Sequence, residues 1–200
     1  SKINSDWIHP MRIVAGRHRG RLIDAPEGND IRPTSDRVRE SVFNILTQGG
    51  ARLGGRDHVT GARILDGFAG TGALGLEAVS RGAAHVSLME NNRMALDACR
   101  RNVAALGEQA KISVLGGDCL QPVHAAEPCS LILLDPPYNQ GGAAPALVAL
   151  SDAGWIAEDA ICVIELAAKE EFTPPDGFDS LDQRRYGAAR VVYARWVTEN

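Results

Sequence analysis

The chain has 200 residues, 44% of them hydrophobic, which suits one globular domain with a substantial core and room for a short appendage. Its formal charge of -4 argues against a protein that coats nucleic acid, because counterion release needs concentrated positive charge. No apolar run approaches the ~20 residues needed to cross a bilayer and no secretory pattern opens the chain, so the expectation is a soluble, cytoplasmic monomer with no membrane partner.

Residues 1–10, SKINSDWIHP, precede Met11 without periodicity and read as a leader, either vector-derived or natural. MRIVAG and GRLIDAP flank the turn RHRG and predict a β-hairpin with a basic tip. Arg12, Arg17, Arg19 and Arg21 lie there in a stretch without an acid, and Arg32, Arg37 and Arg39 follow. Such a segment is either a solvated face or a contact for RNA, whose phosphates suit the planar arginine fork. After Pro33, Thr34 or Ser35 caps a predicted helix in which Val38, Val42, Ile45 and Leu46 recur at helical spacing, until Gly49 and Gly50 stop it. Residues 11–50 are thus expected to form a basic hairpin and helix ahead of a main domain over residues 51–200.

From residue 62 the pattern alternates: ARILDG, then a helix through Gly75 to Arg81; HVSLME, then a helix from Asn92 to Leu106. KISVLGGD and CSLILL add two buried strands, DAICVIELA another, and FDSLDQRRYG and AARVVYARWV an antiparallel pair joined at Gly187. Strand-helix alternation implies an α/β fold, a doubly wound, Rossmann-like, mostly parallel sheet whose strand ends hold ligands. Cys99, Cys119, Cys129 and Cys162 lack metal-type spacing, so they are expected to be reduced structural thiols, with no metal site.

DGFAGTGALGLEA closes a strand in a glycine-rich turn that opens a helix. Gly70, Gly72 and Gly75 satisfy the GxGxxG spacing, and Glu90 lies where an acid would bind a ribose diol. A dehydrogenase and a methyltransferase both fit that spacing, since each cofactor presents an adenosine ribose. Asp66 either caps the glycine turn or organises it around the cofactor; Asp118 either accepts from an adenine amino group or is an ordinary turn aspartate. The expected cofactor contacts are Asp66, Phe68, Ala69, Gly70 and Gly72, then Glu90 and Asn91, then Asp118 and Cys119, at three successive strand ends.

Asp135-Pro136-Pro137-Tyr138 arbitrates, because a buried strand ending in an acid, two prolines and an aromatic has few structural motives. A nucleobase amino group is a poor nucleophile, its lone pair being delocalised into the ring. Asp135 and the Pro136 carbonyl can accept its two N–H bonds, Pro137 stiffens the turn, and Tyr138 can stack on the extruded base. These four are the expected catalytic residues, and a dehydrogenase has no use for them. A DNA adenine-N6 methyltransferase could use the same motif but usually carries a sizeable target-recognition insertion. A glutamine methyltransferase would typically start it with asparagine. A noncatalytic RNA-binding assembly factor remains as an alternative from another class.

With RIVAGRHRGR, RPTSDRVRESVFNIL, DGFAGTGALGLEA and DPPY in place, the chain resembles the bacterial 16S ribosomal RNA guanine-N2 methyltransferases, class I enzymes that use S-adenosylmethionine, from about Met11 to Trp196. The resemblance implies a seven-stranded sheet and a main domain that takes S-adenosylmethionine. It implies a guanine N2 target in 16S rRNA within a partly assembled small subunit, and a hairpin whose Arg12, Arg17, Arg19 and Arg21 grip RNA. Arg32 either reaches toward the substrate or cofactor or anchors its helix to a nearby acid.

Overall fold

A computed structural model describes residues 11–25 and 35–198. Its main sheet has seven strands in the order β5-β4-β3-β6-β7-β9-β8: β3 (Arg63–Gly67), β4 (His85–Glu90), β5 (Ile112–Gly116), β6 (Cys129–Leu134), β7 (Ile156–Ala167), β8 (Phe178–Tyr186) and β9 (Ala189–Trp196). Strands β3 to β7 pair in parallel, whereas β9 is antiparallel to both β7 and β8. The α/β, mostly parallel sheet expected from the alternation is therefore present.

The run CSLILL is apolar throughout because β6 is covered on both faces. Leu131 and Leu133 pack into one buried cluster with Phe43, Leu46 and Leu76. Ile132 and Leu134 pack into the other with Leu147, Leu150 and Trp155. Helices α2 (Ala73–Ser80) and α3 (Arg93–Leu106) follow the first two central strands. A further helix, α4 (Ala143–Asp152), fills the second face. The sequence reading did not anticipate α4, since AAPALVALSD carries Pro145 in its first turn and mostly small residues.

The N-terminal hairpin is shorter than expected. Only Met11–Arg12 (β1) and Leu22–Ile23 (β2) pair. Ile13 N–H to the Arg21 carbonyl and Gly20 N–H to the Ile13 carbonyl carry the pairing one step further. Beyond that the segment is shaped by tertiary bonds: Val14 and Ala15 N–H donate to Glu77 at 2.8 and 3.1 Å, and Arg17 N–H to the Ser80 carbonyl at 2.8 Å. Gly16 (φ 83°) makes this approach possible, because a Cβ there would lie 1.9 Å from the Ser80 carbonyl oxygen.

Helix α1 (Asp36–Gln48) starts at Ser35, whose hydroxyl accepts the Val38 N–H, and stops at Gly49 in the left-handed region, as the capping pattern indicated. Its Arg39 is fully buried and donates through Nε to Glu77 Oε1 at 3.3 Å, and also to the Arg12 carbonyl and to Asp36 at 2.8 Å. Arg81 adds a second cation on Glu77 Oε2 at 3.1 Å. Glu77 on α2 therefore ties the hairpin segment, α1 and α2 together.

All four cysteines are buried and unbridged. Among the described residues no helix is long and apolar enough to cross a membrane, and no group of three or more His, Cys, Asp and Glu side chains could hold a metal ion.

Removing one partner of a buried ion pair leaves the other charged and unpaired. Glu77→Ala should therefore lower unfolding stability by about 3–5 kcal/mol in urea denaturation. A loss below about 1 kcal/mol would put this pair on a par with exposed ones and remove its structural role.

Candidate active site

The strand order reverses beside β3, so that β4 lies on one side of it and β6 on the other. Their register aligns Gly67 with Met89 and with Leu134. The glycine turn after β3, the end of β4 and the Asp135–Tyr138 tetrapeptide after β6 therefore meet in one crevice, the position where open α/β sheets bind ligands. A cavity of about 460 Å³ occupies it, lined by Asp66, Phe68, Ala69, Gly70, Glu90, Asn91 and all four residues of the tetrapeptide. That size falls within the range of small-molecule sites.

Asp66 is 1% exposed, and its Oδ2 accepts the Gly75 N–H at 2.9 Å, so its carboxylate organises the turn and also lines the cavity. Burial pushes this carboxyl well above the usual range against the opposing Gly75 hydrogen bond, and the nearby Asp135 and Glu90 charges push it further up. Gly75 has a packing role: a Cβ there would lie 2.3 Å from Leu88 Cδ2. Phe68 holds φ 56°, a conformation uncommon for an aromatic residue, at the mouth of the turn.

Glu90 closes the second strand end. Its Oε2 accepts the Gly70 N–H at 2.8 Å and its Oε1 the Asn92 N–H at 2.9 Å, which fixes the glycine turn against β4. A carboxylate has about four acceptor sites, so these two bonds leave capacity for a diol. Asn92 in turn caps α3 by accepting the Ala95 N–H at 3.0 Å.

The third strand end contributes less than expected. Asp118 lies outside the cavity lining, and its Oδ1 accepts the Leu120 N–H at 2.9 Å, as an ordinary turn aspartate does. Cys119 is 2% exposed against Met89, and burial pushes its thiol up to about 12. Gly72 caps α2 with φ 87° and also stands behind the lining.

The basic residues of the hairpin tip are gathered away from the cavity. Arg17 and His18 both engage Glu108, His18 at 2.6 Å, and Arg21 donates to the Ala105 carbonyl at 2.7 Å, all at the C-terminal end of α3. Glu108 is held below its ordinary value despite partial burial, by the His18 hydrogen bond and by Arg17. With α3 rising 1.5 Å per residue, this end lies about 20 Å from Asn92 at the cavity. Arg19 is exposed on the same turn, and Arg12 is exposed on β1. Arg32 lies outside the described residues.

Sequence reasoning missed Met11, Thr71, Ala73, Leu74, Asn92 and Ala95, which also line the cavity. Asn92 carried a signal, as an asparagine opening the predicted helix, a residue type favoured at the N-cap. Glu165 was missed as well: it accepts the Tyr138 O–H at 3.0 Å.

The cavity suits an adenosyl ligand. The Gly70 backbone has no Cβ to obstruct a close approach, and Glu90 keeps acceptor capacity beside it. A family model described as Conserved hypothetical protein 95 matches residues 11–195. Ribosomal RNA small subunit methyltransferase D of Escherichia coli (strain K12) is 35% identical over 199 residues, covering 99% of this chain and 95% of that protein. The protein of the same name from Haemophilus influenzae is 30% identical over 181 residues, covering 88% of this chain and 89% of that protein. The solved structure of yhhF from Escherichia coli superposes with a TM-score of 0.79 at 28% identity, covering 95% of this chain and 99% of that one.

Because its folded-state pKa is raised, Asp66 makes a contribution to stability that is fully present below about pH 3.9 and is lost as pH climbs through the raised value. Asp66→Asn removes this titration. Thermal melts across pH should therefore show the wild type losing ground to Asp66→Asn as pH rises, whereas a constant difference would show that Asp66 does not titrate as described.

Proposed function

The chain belongs to the Conserved hypothetical protein 95 family, and from that premise we propose that it transfers a methyl group from S-adenosylmethionine to the N2 amino group of a guanine in 16S ribosomal RNA. The observation that carries this reading is the Gly67–Leu134 register, which joins the glycine turn and the Asp135–Tyr138 tetrapeptide in one cavity. The relatives named ribosomal RNA small subunit methyltransferase D support the RNA class.

S-adenosylmethionine, when bound, supplies a methyl group already activated by the sulfonium charge. Glu90 would hold its ribose diol and the glycine turn its methionine portion. The residues after β6 prepare the acceptor. Asp135 and the Pro136 carbonyl accept the two amino hydrogens and turn the nitrogen lone pair toward the methyl, while Tyr138 stacks on the extruded base. A freshly methylated amino nitrogen is strongly acidic and sheds its proton readily, so Asp135 acts by orientation more than by proton abstraction.

The substrate in this reading is 16S rRNA within a partly assembled small subunit, met in the cytoplasm by a monomer. Subunit proteins that share in recognition would account for a chain with a formal charge of -4. Arg12, Arg17, Arg19 and Arg21 would contact RNA away from the target base. The connection from β6 to β7 holds little beyond α4, which leaves no room for the sizeable recognition insertion of a DNA adenine methyltransferase.

The test supplies labelled methyl donor with small subunits lacking the modification, naked rRNA and duplex DNA, followed by nucleoside mapping. Labelled N2-methylguanosine is expected, and label only in DNA adenine would overturn the substrate. Asp135→Ala should lower kcat/KM by about 100-fold, the scale of lost orientation. Stabilisation by S-adenosylhomocysteine should persist in that variant. Full activity in Asp135→Ala would remove the mechanism.

A further inference from the structure

Tyr138 can stack on a base only if its ring is held face-on to the acceptor, and the backbone secures just one end of it. Pro136 and Pro137 stiffen the chain before it. Asn139 follows in the left-handed region (φ 59°), and Gly141 and Gly142 lead into α4, so the chain after it is a short turn with no strand or helix to brace it. The phenol end is held from elsewhere: its O–H donates to Glu165 Oε1 at 3.0 Å.

Glu165 belongs to β7, and the sheet brings the two together. The β6–β7 register pairs Leu134 with Ile164, so one step further β7 carries Glu165 alongside the start of the tetrapeptide. On its other side Glu165 is paired with Val191 of β9, which fixes its backbone on that edge. Glu165 is 6% exposed, and a carboxylate taken this far out of water needs hydrogen-bond donors. The Tyr138 hydroxyl is one, in a bond strengthened by the charge of its acceptor.

The geometry points to Glu165 as a positioning residue: it holds the Tyr138 ring in the orientation that receives the target base, so that the stacking surface is ordered before the base arrives. This rests on the stacking role given to Tyr138 above. Ordering the ring in advance removes an entropic cost from the encounter, so the effect should appear with nucleic acid and leave the affinity for S-adenosylhomocysteine alone.

A double-mutant cycle decides it. Tyr138→Phe keeps the ring and removes the hydroxyl, whereas Glu165→Leu keeps the hydroxyl and removes its acceptor. Each single variant should lower kcat/KM for RNA about tenfold, the scale of one charge-assisted hydrogen bond. The double variant should be no worse than either single one. Glu165→Gln, which still offers an acceptor oxygen, should recover most of the loss. Losses that multiply in the double variant, or wild-type activity in Tyr138→Phe, would overturn the assignment. If Glu165→Leu fails to fold, Glu165→Gln against Tyr138→Phe carries the same comparison: equal losses in the two overturn it. The cycle is run on whichever nucleic acid the wild type methylates, so a product other than N2-methylguanosine fails the proposed substrate without failing this inference. A wild type that methylates no nucleic acid fails both.

Discussion

The structure depends on a charge placed where apolar packing would be the simpler choice. Glu77 projects from α2 into the buried interior, and four donors converge on its two oxygens: the Val14 and Ala15 N–H groups and the side chains of Arg39 and Arg81. The desolvation cost of such a carboxylate is recovered only with this degree of satisfaction. The arrangement is directional in a way that hydrophobic contact is not. It fixes the path of the hairpin segment, the rotation of α1 through Arg39, and the seating of α2 behind the glycine turn. Met11, carried in by that path, lines the cavity.

The second constraint is the reversal of strand order beside β3. It puts side by side two turns that are far apart in sequence, one built for close backbone approach and the other for rigidity. Glu90 ties the first of them to β4 by accepting the Gly70 N–H, so that wall of the cavity is pinned by a hydrogen bond. On the acceptor side the wall depends on prolines and on the neighbouring strand β7. The crevice is thus assembled from the ends of β3, β4 and β6 and takes its shape from their register.

The central strands and the glycine turn were legible because their signals are local. An apolar run of six residues that ends in DPPY, or a strand followed by GxGxxG, reports its own conformation. The hairpin was only half legible: RIVAGRHRGR alternates as a strand does, but the Val14, Ala15 and Arg17 N–H groups go to Glu77 and Ser80, partners that no local pattern reveals. Asp118 was correctly set at a strand end, yet the direction of its carboxylate follows from a turn bond to Leu120. Glu165 was hidden within DAICVIELA, where an acid in an apolar strand gives no hint of its partner until the sheet order is known. The arginines of the hairpin tip looked equivalent in sequence, but Arg17 and Arg21 are committed to groups at the end of α3.

The four thiols lie in the interior, and burial raises the pKa of each, with Cys129 the least shifted at about 11. A thiolate is the form that oxidants and alkylating reagents attack, so the folded molecule offers them no foothold. Thiol chemistry accordingly becomes available only when the strands part.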